Sequence, residues 1–162
     1  MRECEAIRNH PLYKKHYKKL KKAESDRIFC CHQMEHYLDV ARIAYILNLE
    51  QNLGFRKEVI YAAALLHDIG KYRQYKKKIP HEIASSEIAK VILGEIAEEY
   101  YTEEEKKQIM QAILEHRKMT DGMSELGKLL YISDKKSRAC YQCLTEKECN
   151  WSMEKKNMEI DI

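Results

Sequence analysis

Apolar residues recur along most of this chain at intervals of three and four, the spacing of helices with one buried face. Pro11, after Asn9-His10, marks a helix start and opens a lysine-rich segment with Leu12, Tyr13, Tyr17 and Leu20 on one side. Ser25 or Asp26 is placed to cap the next helix, running through Ile28, Cys31, Leu38, Ala41, Tyr45 and Leu49 until Asn52-Leu53-Gly54 stops it. A third helix covers 56–67 and ends near Gly70. A basic loop over 72–79 precedes Pro80, which starts a helix carrying Ile83, Ile88, Val91 and Ile92 and broken or ended by Gly94. Thr102 to Glu105 reads as a capping box ahead of Ile109, Ala112, Ile113 and His116. Asp121-Gly122 separates it from a last core helix through Leu126, Leu129, Leu130 and Asp134.

Composition agrees with an all-α fold. Two prolines and five glycines in 162 residues leave little turn chemistry for a sandwich of short strands. The length suits a single domain, with residues 1–24 as a lysine-rich helical segment packed on a core of 25–138, and 139–162 as a cysteine-containing tail. Net charge is only +3. The basic stretches Lys14–Lys22 and Lys71–Lys78 and the acidic stretch Glu95–Glu105 give no strong support for nucleic-acid binding. No stretch is long and apolar enough to span a membrane, and Met1 to Glu5 has no signal-peptide core, so a cytoplasmic protein is expected. In that compartment the six cysteines are thiols or metal ligands rather than a disulfide framework. Cys30 and Cys31 read as small core residues.

The segment Val59-Ile60-Tyr61-Ala62-Ala63-Ala64-Leu65-Leu66 is apolar on every side, hence a buried helix that delivers His67-Asp68 into the fold. A buried imidazole and carboxylate must be satisfied by hydrogen bonds or by a divalent metal. Candidate partners lie at inward positions or helix ends: His36, with His32 one turn before it, His81 after Pro80, His116, and Asp134. Each alone reads as an ordinary structural residue. Together they are a costly way to build a core unless they share a ligand.

The order His36, His67-Asp68, His81, His116, Asp134 resembles the HD-domain superfamily of metal-dependent phosphohydrolases across roughly 28–138. The surrounding text is similar too: His36-Tyr37-Leu38-Asp39-Val40-Ala41 for the first histidine, Ala62 to Lys71 for the central motif, and Tyr131-Ile132-Ser133-Asp134-Lys135 for the last aspartate. The resemblance implies a single-domain HD helical bundle. It implies His36, His67, Asp68 and Asp134 as ligands of a principal metal, with His81 and His116 for a second ion and Asp68 as the bridge. His32 matches a paired-histidine opening in which the earlier residue lines the substrate pocket. Mixed imidazole and carboxylate ligation suits one or two divalent transition metals, Fe or Mn ahead of Zn, Ni or Co.

The implied activity is metal-dependent hydrolysis of a nucleotide or other small phosphoester, by a phosphatase or phosphodiesterase. The metal lowers the pKa of its water from about 15.7 toward 7 and polarises a phosphoryl oxygen. Besides Asp68, Lys71 leads as the group that neutralises phosphate charge, with Arg73, Lys135 and Arg138 behind it; the plain alternative is a solvated basic loop. Glu35 and Glu82 are the candidate general bases. Residues 69–78 contain no acid, unlike the superfamily's single-metal nucleotidases, and the Gly-Tyr-Pro motif of its cyclic-dinucleotide phosphodiesterases is missing.

Cys140, Cys143 and Cys149 have partial metal-site spacing, which needs a fourth ligand from Cys4, His10 or elsewhere; reduced thiols packed around Trp151 are the plain alternative. Two other function classes remain at this point. One is a non-catalytic, metal-containing nucleotide sensor. The other uses Tyr13, Tyr17 and the neighbouring lysines as a nucleic-acid surface.

Overall fold

The computed structural model describes residues 1–160. Its helices are α1 (Arg2–Asn9), α2 (Pro11–Ala23), α3 (Met34–Glu50), α4 (Lys57–Leu66), α5 (Lys71–Lys77), α6 (His81–Glu95), α7 (Glu103–Glu115) and α8 (Glu125–Lys136). No strand occurs among the described residues, and no helix there is long and apolar enough to cross a membrane. The fold is all-α.

Helix α4 is the centre. Val59, Ile60 and every residue from Ala62 to Leu66 are buried, because α3, α1, α7, α8 and α6 all pack against it. Its three alanines, Ala62, Ala63 and Ala64, favour the helix and let the surrounding helices approach closely. The large buried side chains Tyr37, Leu66, Ile92, Ile109 and Ile113 fill the space between these helices. Burying each of the four aliphatic ones contributes roughly 1.5–3 kcal/mol before entropy is counted. Helix α7 begins with the expected box: Thr102 Oγ1 accepts from Glu105 N at 3.2 Å and Glu105 accepts from Thr102 N at 2.8 Å.

Four expectations fail. The helix expected from Ser25 or Asp26 starts only at Met34, because the carboxylate of buried Glu24 captures the backbone N–H of His32 at 2.7 Å and folds 24–33 back as a loop. Cys30 is therefore exposed and Cys31 half-buried, neither a core residue. The expected loop over 72–79 is mostly helix α5, with Tyr72 buried and the left-handed Lys78 (φ 56°) ending the helix. Ile83 and Val91 of α6, expected on its apolar face, are 45% and 42% exposed. Helix α1 precedes Pro11 and was not signalled by spacing; Cys4 and Ile7 anchor it against α4.

Candidate metal centre

Helix α4 ends at Leu66, and the buried turn 67–70 presents His67 and Asp68 to the space between α3, α6, α7 and α8. His36 comes from the first turn of α3, His81 from the first residue of α6, His116 from the end of α7 and Asp134 from the last turn of α8. All six are buried. Their atoms form two overlapping groups: His36, His67, Asp68 and Asp134, and Asp68, His81 and His116, each with ligand atoms within 4.8 Å of one another. Asp68 belongs to both. Its Oδ2 is 3.2 Å from His67 Nε2, and its Oδ1 is 3.4 Å from His81 Nε2 and 3.8 Å from His116 Nε2.

Every imidazole in the centre is oriented the same way. His67 Nδ1 donates to Ala64 O at 2.7 Å and His116 Nδ1 to Ile113 O at 2.6 Å. His81 Nδ1 donates to Gln74 Oε1 at 2.6 Å, an atom that also accepts from the His81 backbone N–H. Ser137 Oγ donates to Asp134 O at 2.8 Å, so it accepts from His36 Nδ1 at 3.1 Å. His32 Nδ1 pairs with Glu24 Oε1 at 2.5 Å. With the proton held on Nδ1, each Nε2 turns a lone pair inward, the arrangement that outer hydrogen bonds impose on metal-binding histidines.

Two such lone pairs confront each other: His81 Nε2 and His116 Nε2 are 3.1 Å apart. That contact repels unless a cation lies between or beside them. His67 Nε2 and Asp68 Oδ1 are also buried without a hydrogen-bond partner, an expensive condition for polar atoms. The residues therefore fit a divalent ion. Burial would raise both carboxyls, but Lys71, His32 and His67 near Asp68, and Lys135, His36 and His67 near Asp134, hold both well below the usual carboxylate range. Burial, then the Arg138 charge, pushes His36 down to about 3, and burial pushes His81 down to about 2. Burial also opposes a charge on His67, yet Asp68 and Asp134 outweigh it and lift that imidazole to about 9. The paired carboxylates demand positive charge, which a divalent ion held by His36, His67, Asp68 and Asp134 would supply.

The centre forms the floor of a cavity of about 1040 Å³ lined by Arg27, His32, Lys71, Glu82, Lys135, Arg138 and Trp151, among others. Lys71 Nζ is 3.8 Å from Asp68 Oδ1, and Lys135 pairs with Asp134. Arg138 donates to His36 Nε2 and to Cys31 O, both at 2.9 Å. Glu82 has one oxygen 3.0 Å from Arg117 Nη1 and the other, Oε2, buried and without a hydrogen bond. His32 reaches the cavity from the loop rather than from the α3 stripe on which the sequence put it, with Nε2 3.5 Å from Asp68 Oδ2. Arg73 is corrected: it is drawn to Glu87 at 2.8 Å and to Tyr72, and it does not line the cavity. Glu35 is exposed and likewise absent from the lining.

Four contributors escaped the sequence reading. Glu24 follows a lysine run and has no motif, Gln74 and Ser137 carry no charge, and Trp151 lies in an irregular tail. Only the fold brings them here. The proposed fourth ligands for the tail cysteines are also corrected, since Cys4 packs in α1 beside Tyr101 and His10 pairs with Glu95 at 3.1 Å.

Comparison with known proteins bears on the fold and the family. The chain is 51% identical over 155 residues to an uncharacterised protein of Clostridium beijerinckii, covering 95% of both. It is 34% identical over 101 residues to Ribonuclease Y of Petrotoga mobilis, covering 62% of this chain and 17% of that longer protein. A crystal structure described as a predicted HD superfamily hydrolase, from an uncultured Thermotogales bacterium, shares the fold with a TM-score of 0.61 at 20% identity, over 90% of this chain and 81% of that one. The family model for the HD domain matches residues 34–139, and the chain belongs to the HD-domain family.

Proposed function

We propose that this HD-domain protein is a metal-dependent phosphohydrolase acting on a nucleotide or other small phosphoester. The observation that carries the reading is the set of inward Nε2 lone pairs and two carboxylates at the floor of a cavity rimmed by cations. In this reading His36, His67, Asp68 and Asp134 hold one divalent ion, Asp68, His81 and His116 hold a second, and iron or manganese is preferred. A bound divalent ion supplies charge that acidifies water and polarises a phosphoryl oxygen.

The chain supplies the rest. Lys71, Lys135 and Arg138 surround the place where phosphoryl oxygens must sit and compensate their charge. Glu82, a residue of the cavity lining whose Oε2 lies 3.5 Å from His81 Nδ1 and whose other oxygen is held by Arg117, accepts the proton of the attacking water. His32 turns Nε2 to the cavity with Glu24 behind it; a bound phosphate favours its protonated form, which can pass a proton to the leaving oxygen. The cavity exceeds the volume needed for a mononucleotide, and Trp151 offers a flat ring on its wall, 5.2 Å from Lys135 Nζ.

The test is turnover of a panel of nucleotides, sugar phosphates and short oligoribonucleotides, the last included because of the Ribonuclease Y relative, with manganese or ferrous iron added. Wild type is expected to release phosphate or a nucleotide product, and His67→Ala and Asp68→Ala to lose it. Thermal stabilisation by a nucleotide without product would instead establish the sensor reading and overturn this one.

A further inference from the structure

Beside the metal centre lies a second cavity, about 410 Å³, walled by Cys30, Cys140, Cys143 and Cys149. The three tail cysteines reach one wall through consecutive tight turns. Cys143 N donates to Cys140 O, Glu146 N to Cys143 O and Cys149 N to Glu146 O, each at 3.2 Å. Cys140, Cys143, Glu146 and Cys149, three residues apart along these turns, all line this cavity. Glu146 is paired with Lys156, another lining residue, whose Nζ lies 2.5 Å from its carboxylate. Three cysteines remain, and the loop before α3 adds Cys30. That loop is tied to the tail by Thr145 Oγ1 donating to Ile28 O at 3.3 Å and by Arg138 donating to Cys31 O.

We propose that Cys30, Cys140, Cys143 and Cys149 are the thiolate ligands of an iron–sulfur cluster seated in this cavity. Four cysteines satisfy either a single zinc ion or a cluster, and spacing separates the two. Zinc–sulfur bonds of about 2.3 Å in a tetrahedron bring the sulfurs to roughly 3.8 Å from one another. Among the described residues, the groups of ligand atoms lying within 4.8 Å of one another are those of the histidine–aspartate centre, and no set of three cysteine sulfurs is among them. A cluster presents its iron atoms at separate corners and accepts thiolates that lie farther apart than this around one shared cavity. Charge agrees as well. Four thiolates leave such a cluster with net negative charge, and Arg27, Lys71, Arg138 and Lys156 line the cavity against Glu146 and Glu148. Lys156 lies near enough to Cys140 and Cys149 for their charges to act on it.

The cluster staples residues 140–149 to the loop that carries His32. Because Arg27, His32, Lys71, Arg138 and Trp151 line both cavities, it also fixes one wall of the substrate cavity.

The full chain, purified without oxygen and reconstituted with ferrous iron and sulfide, is assayed for acid-labile sulfide and for visible absorption bleached by dithionite. About two to four sulfides per chain are expected, according to cluster type. His67→Ala with Asp68→Ala, which removes the neighbouring centre, should keep this sulfide, and Cys4→Ala should keep it too. Cys143→Ser and Cys149→Ser should lose it, with helix content by circular dichroism confirming that each is folded. Wild-type protein without acid-labile sulfide, whether its thiols hold one zinc ion or react freely with iodoacetamide, overturns the proposal. Labile sulfide is independent of hydrolysis, so this result and the phosphohydrolase test fail separately.

Discussion

Gly70 is where the turn bearing His67 and Asp68 meets α6. A Cβ there would lie 2.5 Å from Ala84 C and from Ser85 N, and 2.9 Å from Ala84 Cβ, where carbon atoms prefer about 3.5–4.0 Å. Two of those atoms are backbone, so relief requires the turn and α6 to move apart. Gly70→Ala should incur an overpacking cost of about 1–3 kcal/mol. Weakening the Gly70 N–H to Ser85 Oγ bond, now 3.0 Å, adds about 1 kcal/mol. Reduced freedom of the unfolded chain offsets about 0.4–1 kcal/mol. The net loss is about 1–3.5 kcal/mol, or about 2–14 °C in Tm for a chain of this size. Gly94→Ala is the internal control: it lies in the last turn of α6, its added Cβ meets nothing within 4 Å, and it should stabilise by about 0.5 kcal/mol. Calorimetry or a circular dichroism melt of the metal-loaded proteins measures both. A Gly70→Ala protein melting within about a degree of wild type would refute the close-approach argument.

Three further predictions use other parts of the structure. Lys71→Met should lower kcat/KM by about 10- to 100-fold, the worth of one charged contact to phosphate, with Tm nearly unchanged; unaltered kinetics would remove Lys71 from the site. Glu24→Gln keeps a hydrogen bond to His32 but not the charge, and should reduce kcat by about tenfold or more and shift the pH–rate profile; a change in Tm alone would make Glu24 merely structural. His16, bonded to Tyr72 at 2.8 Å, is pushed down to about 4 by burial and then by Arg73, Lys19 and Lys15, so it folds neutral while the unfolded chain binds a proton below its ordinary value of 6.5. Its contribution is fully present above pH 6.5 and is lost as pH falls toward 4. Urea unfolding of wild type against His16→Gln should show wild type losing ground across that window, and a constant difference would contradict the assignment.

Much of the metal centre is legible in the sequence because its residues sit at the ends of strongly patterned helices. The apolar run before His67 and the positions of His81, His116 and Asp134 are fixed by local periodicity and capping. What escaped depends on contacts between distant segments. Glu24 terminates a helical pattern only because its carboxylate turns back to His32, eight residues on. Helix α5 was hidden because most of its seven residues are charged or polar, and only Tyr72 is buried. Arg73 has the right sequence neighbourhood for phosphate, yet its helix turns it toward Glu87. Cys30 reads as a core residue until the loop carries it to the tail cysteines.

The central claim is that Asp68 stands between two ions. Crystals of the metal-loaded protein, with anomalous data collected at the iron and manganese edges, test it most directly. The account predicts two transition-metal peaks. One should be ligated by His36, His67, Asp68 and Asp134, the other by Asp68, His81 and His116, with ligand distances of roughly 2.0–2.3 Å. Metal-loaded crystals in which no transition-metal peak touches Asp68, and His81 faces His116 with no ion beside them, would contradict it.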